Sequence, residues 1–179
     1  ILISLFFTIG IFAQNDEPIR VGVFADMSGQ TASFGVSTAN GIKLAVREIN
    51  ASGGVDGRKL KLFIEDDKGR PETAKEVVRK LINEREVNVI LGEVASTNSL
   101  AAAPEAQEAG IPMITPASTN PLVTKVGNFI FRACFMDPFQ GEAMAKFSFY
   151  ELKARRIAIF GSNFSDYSKG LAETLQNTF

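Results

Sequence analysis

An α/β fold built on a doubly wound parallel sheet is predicted by three observations. Short β-rich runs alternate with amphipathic stretches of ten or more residues, the pattern of repeated β-α-β units. At least one run, 87–91, is apolar almost throughout, as suits a strand covered on both faces. Clusters of Gly, Pro, Asn and Asp separate the periodic segments.

The elements follow in order along the 179 residues. Residues 1–13 carry no charge and are almost all apolar. A membrane-spanning helix needs about 20 such residues. The run therefore reads as the apolar core of a partial secretory signal peptide, with Ala13 at the cleavage point and its basic start lying before residue 1. The alternative is a buried first strand or helix. A polar lead-in, 14–17, opens the mature part. Ile19-Arg20-Val21-Gly22-Val23-Phe24 has strand composition, and 26–35 is a loop rich in Gly, Ser and Thr. Over 37–49, Ile42, Ala45, Val46 and Ile49 recur at helical spacing. Gly53-Gly54 and Asp56-Gly57 then break the helix, as residues that admit positive φ. Strand character returns at 60–65. The stretch 71–84 predicts a helix with Ala74, Val77, Val78, Leu81 and Ile82 on one face. A strand is expected at 87–91. An Ala-rich helix should follow over 100–109, with Pro104 in its first turn, where a missing N–H costs nothing. Strands at 111–114 and 129–132 complete the series.

Composition narrows the function. Nineteen basic residues balance twenty acidic ones, and Arg155-Arg156 is the longest basic run, so nothing marks a nucleic-acid partner. The chain has no histidine, which removes the commonest general base and metal ligand. The single cysteine, Cys134, cannot form an internal disulfide and is expected to be a buried inert thiol. No Gly-x-Gly-x-x-Gly follows the first strand, which speaks against a dinucleotide. Asp66-Asp67 is read as loop structure rather than an acid–base pair. No cofactor, metal or catalytic residue is expected.

Ligands of doubly wound sheets bind beyond the carboxyl ends of the strands. Three loops therefore matter: Asp26-Met27-Ser28-Gly29, the Gly92-Glu93-Val94-Ala95-Ser96-Thr97 loop, and Thr115-Pro116-Ala117-Ser118-Thr119-Asn120-Pro121. They offer hydroxyls and backbone groups but no nucleophile with a base. That chemistry is binding rather than turnover.

The ordered set Met27-Ser28-Gly29, Phe34-Gly35, Gly41, the run from Glu48-Ile49-Asn50 to Lys59-Leu60, Asp66-Asp67, Gly110-Ile111-Pro112, Thr115-Pro116, Ser118-Thr119-Asn120-Pro121, Arg156-Ile157-Ala158-Ile159 and Tyr167 resembles the Leu/Ile/Val-binding proteins of bacterial ABC importers. The resemblance implies a bilobed periplasmic-binding-protein-like fold, with a small amino-acid-like ligand closed between two lobes and a membrane permease as partner. It also implies that this chain is incomplete at the C-terminus: 14–137 would be the first pass through lobe one, and 138–179 the opening of lobe two, with a strand at 156–160 and a helix starting near Tyr167.

Site residues follow from the same resemblance. Ser96 matches the carboxylate-binding serine, and by itself also suits a helix N-cap. The two roles are compatible, because a helix N-terminus attracts anions. Thr97 could share the role or cap. Thr119 matches a threonine that contacts both ends of the amino-acid head, and also suits a turn before Asn120-Pro121. Ala117 matches a position whose carbonyl takes the ligand ammonium, and Ser118 lies between these two. Phe34 matches an aromatic over the ligand side chain, and Tyr167 a tyrosine that closes over it. Gly69 and Ala95 stand where many relatives carry a disulfide. Alternatives are a ligand-sensing domain of a receptor or regulator, or a binding protein for an amide, urea or aromatic acid.

Overall fold

The computed structural model describes residues 17–179. The apolar run at 1–13, with its signal-peptide reading, lies outside the described residues.

Five strands form one sheet: β1 (Ile19–Ala25), β2 (Leu60–Asp66), β3 (Val89–Leu91), β4 (Met113–Thr115) and β5 (Ile130–Arg132). All are parallel, in the order β2-β1-β3-β4-β5. β1 pairs along its whole length with β2, from Ile19 opposite Leu60 to Ala25 opposite Asp66. On its other side, Val21, Gly22 and Val23 face β3. The winding direction reverses between β1 and β3. The loops leaving the carboxyl ends of these two strands therefore diverge and leave a crevice.

The helices are α1 (Ala32–Ala51), α2 (Pro71–Asn83), α3 (Ser96–Glu108), α4 (Asp137–Lys146) and α5 (Asp166–Thr178). Helix α2 starts on Pro71, whose missing N–H would be unused in a first turn. It buries Ala74, Val77, Val78 and Leu81, the i, i+3, i+4, i+7 stripe the sequence carries. Helix α3 adds Ala102, Ala103 and Ala106, and the core closes over Phe24, Ile90 and Met113. Alanines let α3 approach the sheet closely. Helix α1 packs on β1 and β2 but buries only Gly35 and Ala39. Among the described residues, no helix is long and apolar enough to cross a membrane.

Several boundaries differ from expectation, each for a physical reason. Helix α1 starts at Ala32 rather than 37, because the Asp26 carboxylate gathers the N–H groups of Gly29 and Thr31 and turns the chain into the helix early. Helix α3 starts at Ser96 rather than 100, which puts Pro104 inside the helix instead of in its first turn. Ser, Thr and Asn are poor helix formers alone. Here Ser96, Thr97 and Ser99 hydrogen-bond other elements, and tertiary contacts override propensity. β3 is shorter than 87–91, because Asn88 pairs with the Arg20 backbone through its side chain as well as its N–H. The expected strand at 156–160 does not form. Among the described residues no strand lies beside it, so its backbone has nothing to pair with, and Phe160 is fully exposed. Helix α4 runs on into a wider turn over Phe147–Glu151. Cys134 is half-buried rather than buried, its thiol 3.6 Å from the Ser118 carbonyl, and burial raises its pKa.

Candidate functional site

A pocket of about 400 Å³ opens at the carboxyl edge of the sheet, over the divergence of β1 and β3. Three loops build it. The β1–α1 connection supplies Thr31 and the first turn of α1 supplies Phe34. The β3–α3 connection and the start of α3 supply Val94, Ala95, Ser96 and Thr97, and the loop after β4 supplies Ala117 and Thr119. The mouth is narrowed by Phe135, by Gln140 of α4, and by Ser165 and Tyr167 at the start of α5. Gln140 donates to the Tyr167 hydroxyl at 3.3 Å.

The walls are held by hydrogen bonds that reach across loops. Ser96 is 2% exposed and is the first residue of α3; the N-cap is Ala95. The capping role is thus not what its side chain performs. The Ser96 hydroxyl accepts the Asn120 N–H at 3.2 Å, which ties the loop after β4 to α3. The Thr97 hydroxyl accepts the Asp166 N–H at 3.0 Å, and the Asn120 amide donates to the Asp166 carbonyl at 2.8 Å. Both bonds seat the start of α5 on the pocket. Ser165 caps α5, accepting the Ser168 N–H at 3.2 Å.

Of the residues singled out in sequence, Phe34, Ser96, Thr97, Ala117, Thr119 and Tyr167 converge on this one pocket. Ser118 does not. Its hydroxyl turns inward to the Glu93 carbonyl, 3.0 Å away, and to the Ser99 hydroxyl at 2.7 Å. Successive residues of an extended turn point to opposite sides, so Thr119 faces the pocket and Ser118 faces the core. Thr31, Val94, Ala95, Phe135, Gln140 and Ser165 line the pocket without having been named as ligand contacts. Val94 and Ala95 sit in a loop already marked by a strand end, and Thr31 lies just beyond another. Phe135, Gln140 and Ser165 carry no sequence signal of their own.

The polar lining includes the start of α3 and the loop after β4. The first turn of α3 carries backbone N–H groups that have no intrahelical acceptor, and its dipole favours an anion. The Thr119 hydroxyl is buried and lies against the Asp137 carboxylate, which is itself fully buried. Burial raises the Asp137 pKa, while the adjacent Thr119 hydroxyl and the Arg132 guanidinium pull it back. The rings of Phe34, Phe135 and Tyr167 supply the apolar part of the lining.

A second group of carboxylates lies behind the pocket. Asp26 is buried, which would raise its pKa, but the Thr31 hydroxyl and the N–H groups of Thr31, Gly29 and Ser28 more than offset this and hold it low. Asp66, likewise lowered against some burial, accepts from the Ser28 hydroxyl at 2.6 Å and from the Met27 and Lys68 N–H groups. Burial pushes Asp67 up to about 6 and Glu93 up to about 7. Asp26, Asp66 and Asp67 bring carboxylate oxygens within 4.8 Å of one another. The oxygens of Asp26 and Asp66 are already taken by protein donors, so the group serves as loop structure.

A pocket at the switch point of a doubly wound sheet, lined by a helix N-terminus and by aromatic rings, fits a small-molecule binding domain. The sequence profile of the periplasmic binding proteins matches residues 18–179. The chain belongs to that family of solute-binding proteins. It is 36% identical over 162 residues to the Leu/Ile/Val-binding protein of Escherichia coli, covering 90% of this chain and 44% of that protein. Its fold is similar to a leucine binding protein of Thermotoga maritima (TM-score 0.85, 40% identity, 90% of this chain and 45% of that one). It is similar also to a branched-chain amino acid transporter substrate binding protein of Streptococcus pneumoniae in complex with isoleucine (TM-score 0.87, 32% identity, 91% and 47%). The chain thus spans less than half the length of these relatives.

Proposed function

We propose that the intact protein is the extracytoplasmic solute-binding component of an ABC importer, and that it binds a branched-chain amino acid or a ligand with the same head group. The observation that carries this reading is the mixed lining of the pocket. The N-terminus of α3 and the buried Thr119 hydroxyl line it together with the rings of Phe34, Phe135 and Tyr167. A small zwitterion with an apolar side chain matches both kinds of lining. Ser96, Thr97 and the first turn of α3 take the carboxylate. The Thr119 hydroxyl and the Ala117 carbonyl take the ammonium. Phe34 and Tyr167 enclose the side chain, and Ser118 supports the loop from behind.

In this reading, residues up to 137 belong to lobe one and 138–179 open lobe two, with the ligand closed between the lobes. A membrane permease receives the loaded protein, and no bond is made or broken. Export follows from the apolar run at 1–13. Calorimetry of the intact protein against amino acids, amides and aromatic acids tests the ligand class; binding of aromatic acids in preference to leucine would overturn it. A mature protein from the native host that retains residues 1–13 by mass spectrometry would overturn export.

A further inference from the structure

Glu93 is an acidic side chain with no accessible surface, set in the loop that leads into α3. It is not in the pocket, yet it bonds to all three loops that form it. One carboxylate oxygen accepts the Asp26 N–H at 2.9 Å, at the end of β1, and the other accepts the Ala95 N–H beside Ser96. Its own carbonyl accepts the hydroxyls of Ser99 and Ser118, at 3.1 and 3.0 Å, and that of Thr115 at the end of β4. The Asp26 end carries the linkage further. The Asp26 carboxylate accepts from Gly29 and from both the N–H and the hydroxyl of Thr31, and so sets where α1 begins. Thr31 and Phe34, which α1 brings to the pocket, are thereby tied through Asp26 to Glu93, and through Glu93 to Ala95 and Ser96.

We propose that Glu93 is a positioning residue: its ionised carboxylate clamps the Phe34 wall of the pocket to the Ser96 wall, and makes ligand affinity fall as the pH is lowered through neutrality. The clamp needs two acceptor oxygens. Protonation converts one of them into a hydroxyl, which releases either Asp26 or Ala95. The surroundings put that event within reach. Burial raises Glu93 most, and the charged groups facing it are Asp67 on the β2 side and Asp26 on the β1 side, both acidic. From the β4 side come only the hydroxyls of Thr115 and Ser118. Among the described residues no cation pairs with the carboxylate; only the two N–H groups favour its charged form. Burial and the two acidic neighbours outweigh the two N–H bonds and push Glu93 up to about 7.

The proposal rests on the binding reading of the pocket, and the test separates the two. Calorimetry of the intact protein uses L-leucine as the probe, which stays zwitterionic between about pH 6 and pH 8. The wild type should lose about fivefold or more in affinity from the upper to the lower pH. Glu93→Gln keeps the shape but offers one acceptor, so it should bind about tenfold more weakly at the upper pH and show a flat profile. Amide hydrogen exchange gives a readout without ligand. In Glu93→Gln the Asp26 and Ala95 amides should exchange faster, while Val23 in β1 stays protected. If that variant does not fold, the same two amides in the wild type should lose protection, relative to Val23, as the pH falls. Unchanged protection of both amides, or a Glu93→Gln profile that follows the wild type, overturns the clamp. A protein that ignores leucine yet shows the amide changes keeps the clamp and sinks the ligand assignment.

Discussion

Phe34 offers the sharpest test of the apolar lining. It is the third residue of α1 and remains 64% exposed, although it lines the pocket. Full burial of a Phe side chain contributes about 1.5–3 kcal/mol. With about a third of it covered, Phe34→Ala should cost the fold under about 1 kcal/mol, and the better helix propensity of Ala returns part of that. Its effect on binding should depend on the ligand. Leucine exceeds alanine by three carbons, at about 0.8 kcal/mol each when fully buried, so the whole pocket can gain about 2.4 kcal/mol from them. Phe34 is one of three rings that line the pocket, with Phe135 and Tyr167. Its removal should forfeit about 1 kcal/mol of this gain, or about fivefold in affinity for leucine. Affinity for alanine should change by less than about twofold. Calorimetry of the intact variant with L-leucine and L-alanine measures both, and a thermal scan checks the fold. Equal losses for the two ligands would refute the reasoning, because Phe34 would then act through the position of α1 and not through side-chain contact.

Ser96→Ala removes the acceptor of the buried Asn120 N–H, so it should cost about 1–2 kcal/mol in stability and weaken leucine binding about 10- to 100-fold; unfolding and calorimetry of the same sample read both. Gly35→Ala should destabilise the protein by about 2 kcal/mol or more, because its Cβ would lie 1.9 Å from the Asp26 carbonyl oxygen inside a helix that cannot retreat; a Tm within a degree of wild type would contradict that close approach. Stability should fall as the pH rises from about 5 to about 8. Asp67 and Glu93 have folded-state pKa values raised to about 6 and about 7, so the folded state holds more protons than the unfolded state across that window, and their contribution is lost as the pH passes those values. Asp26 and Asp66 are lowered and act in the opposite sense, but only in more acidic solution. A Tm that rises over the window would reverse the assignment.

Some of this protein could be read from the chain alone. The stripe of Ala74, Val77, Val78 and Leu81 can be buried by a helix and by little else, and α2 follows it closely. Alternation of short apolar runs with helices implies parallel strands, and parallel strands place their carboxyl ends on one edge. That is why Ser96, Thr97, Ala117 and Thr119, in loops far apart in sequence, were legible as one group before any coordinate. Phe34 and Tyr167 came from resemblance, as did the roles of the others.

What only the tertiary structure decided concerns direction and company. Which of Ser118 and Thr119 faces the pocket depends on the path of one turn, and composition cannot rank two neighbouring hydroxyls. The residues 156–160 have strand composition, but a strand exists only where another lies alongside to take its hydrogen bonds. Helix α3 begins four residues early because Ser96, Thr97 and Ser99 find partners on other elements, a gain that local propensity does not contain. Glu93 reads in the sequence as one more polar loop residue. Its burial, its raised pKa and its grip on Asp26 and Ala95 arise because β1 and β3 are neighbours in the sheet, a contact across 67 residues of chain.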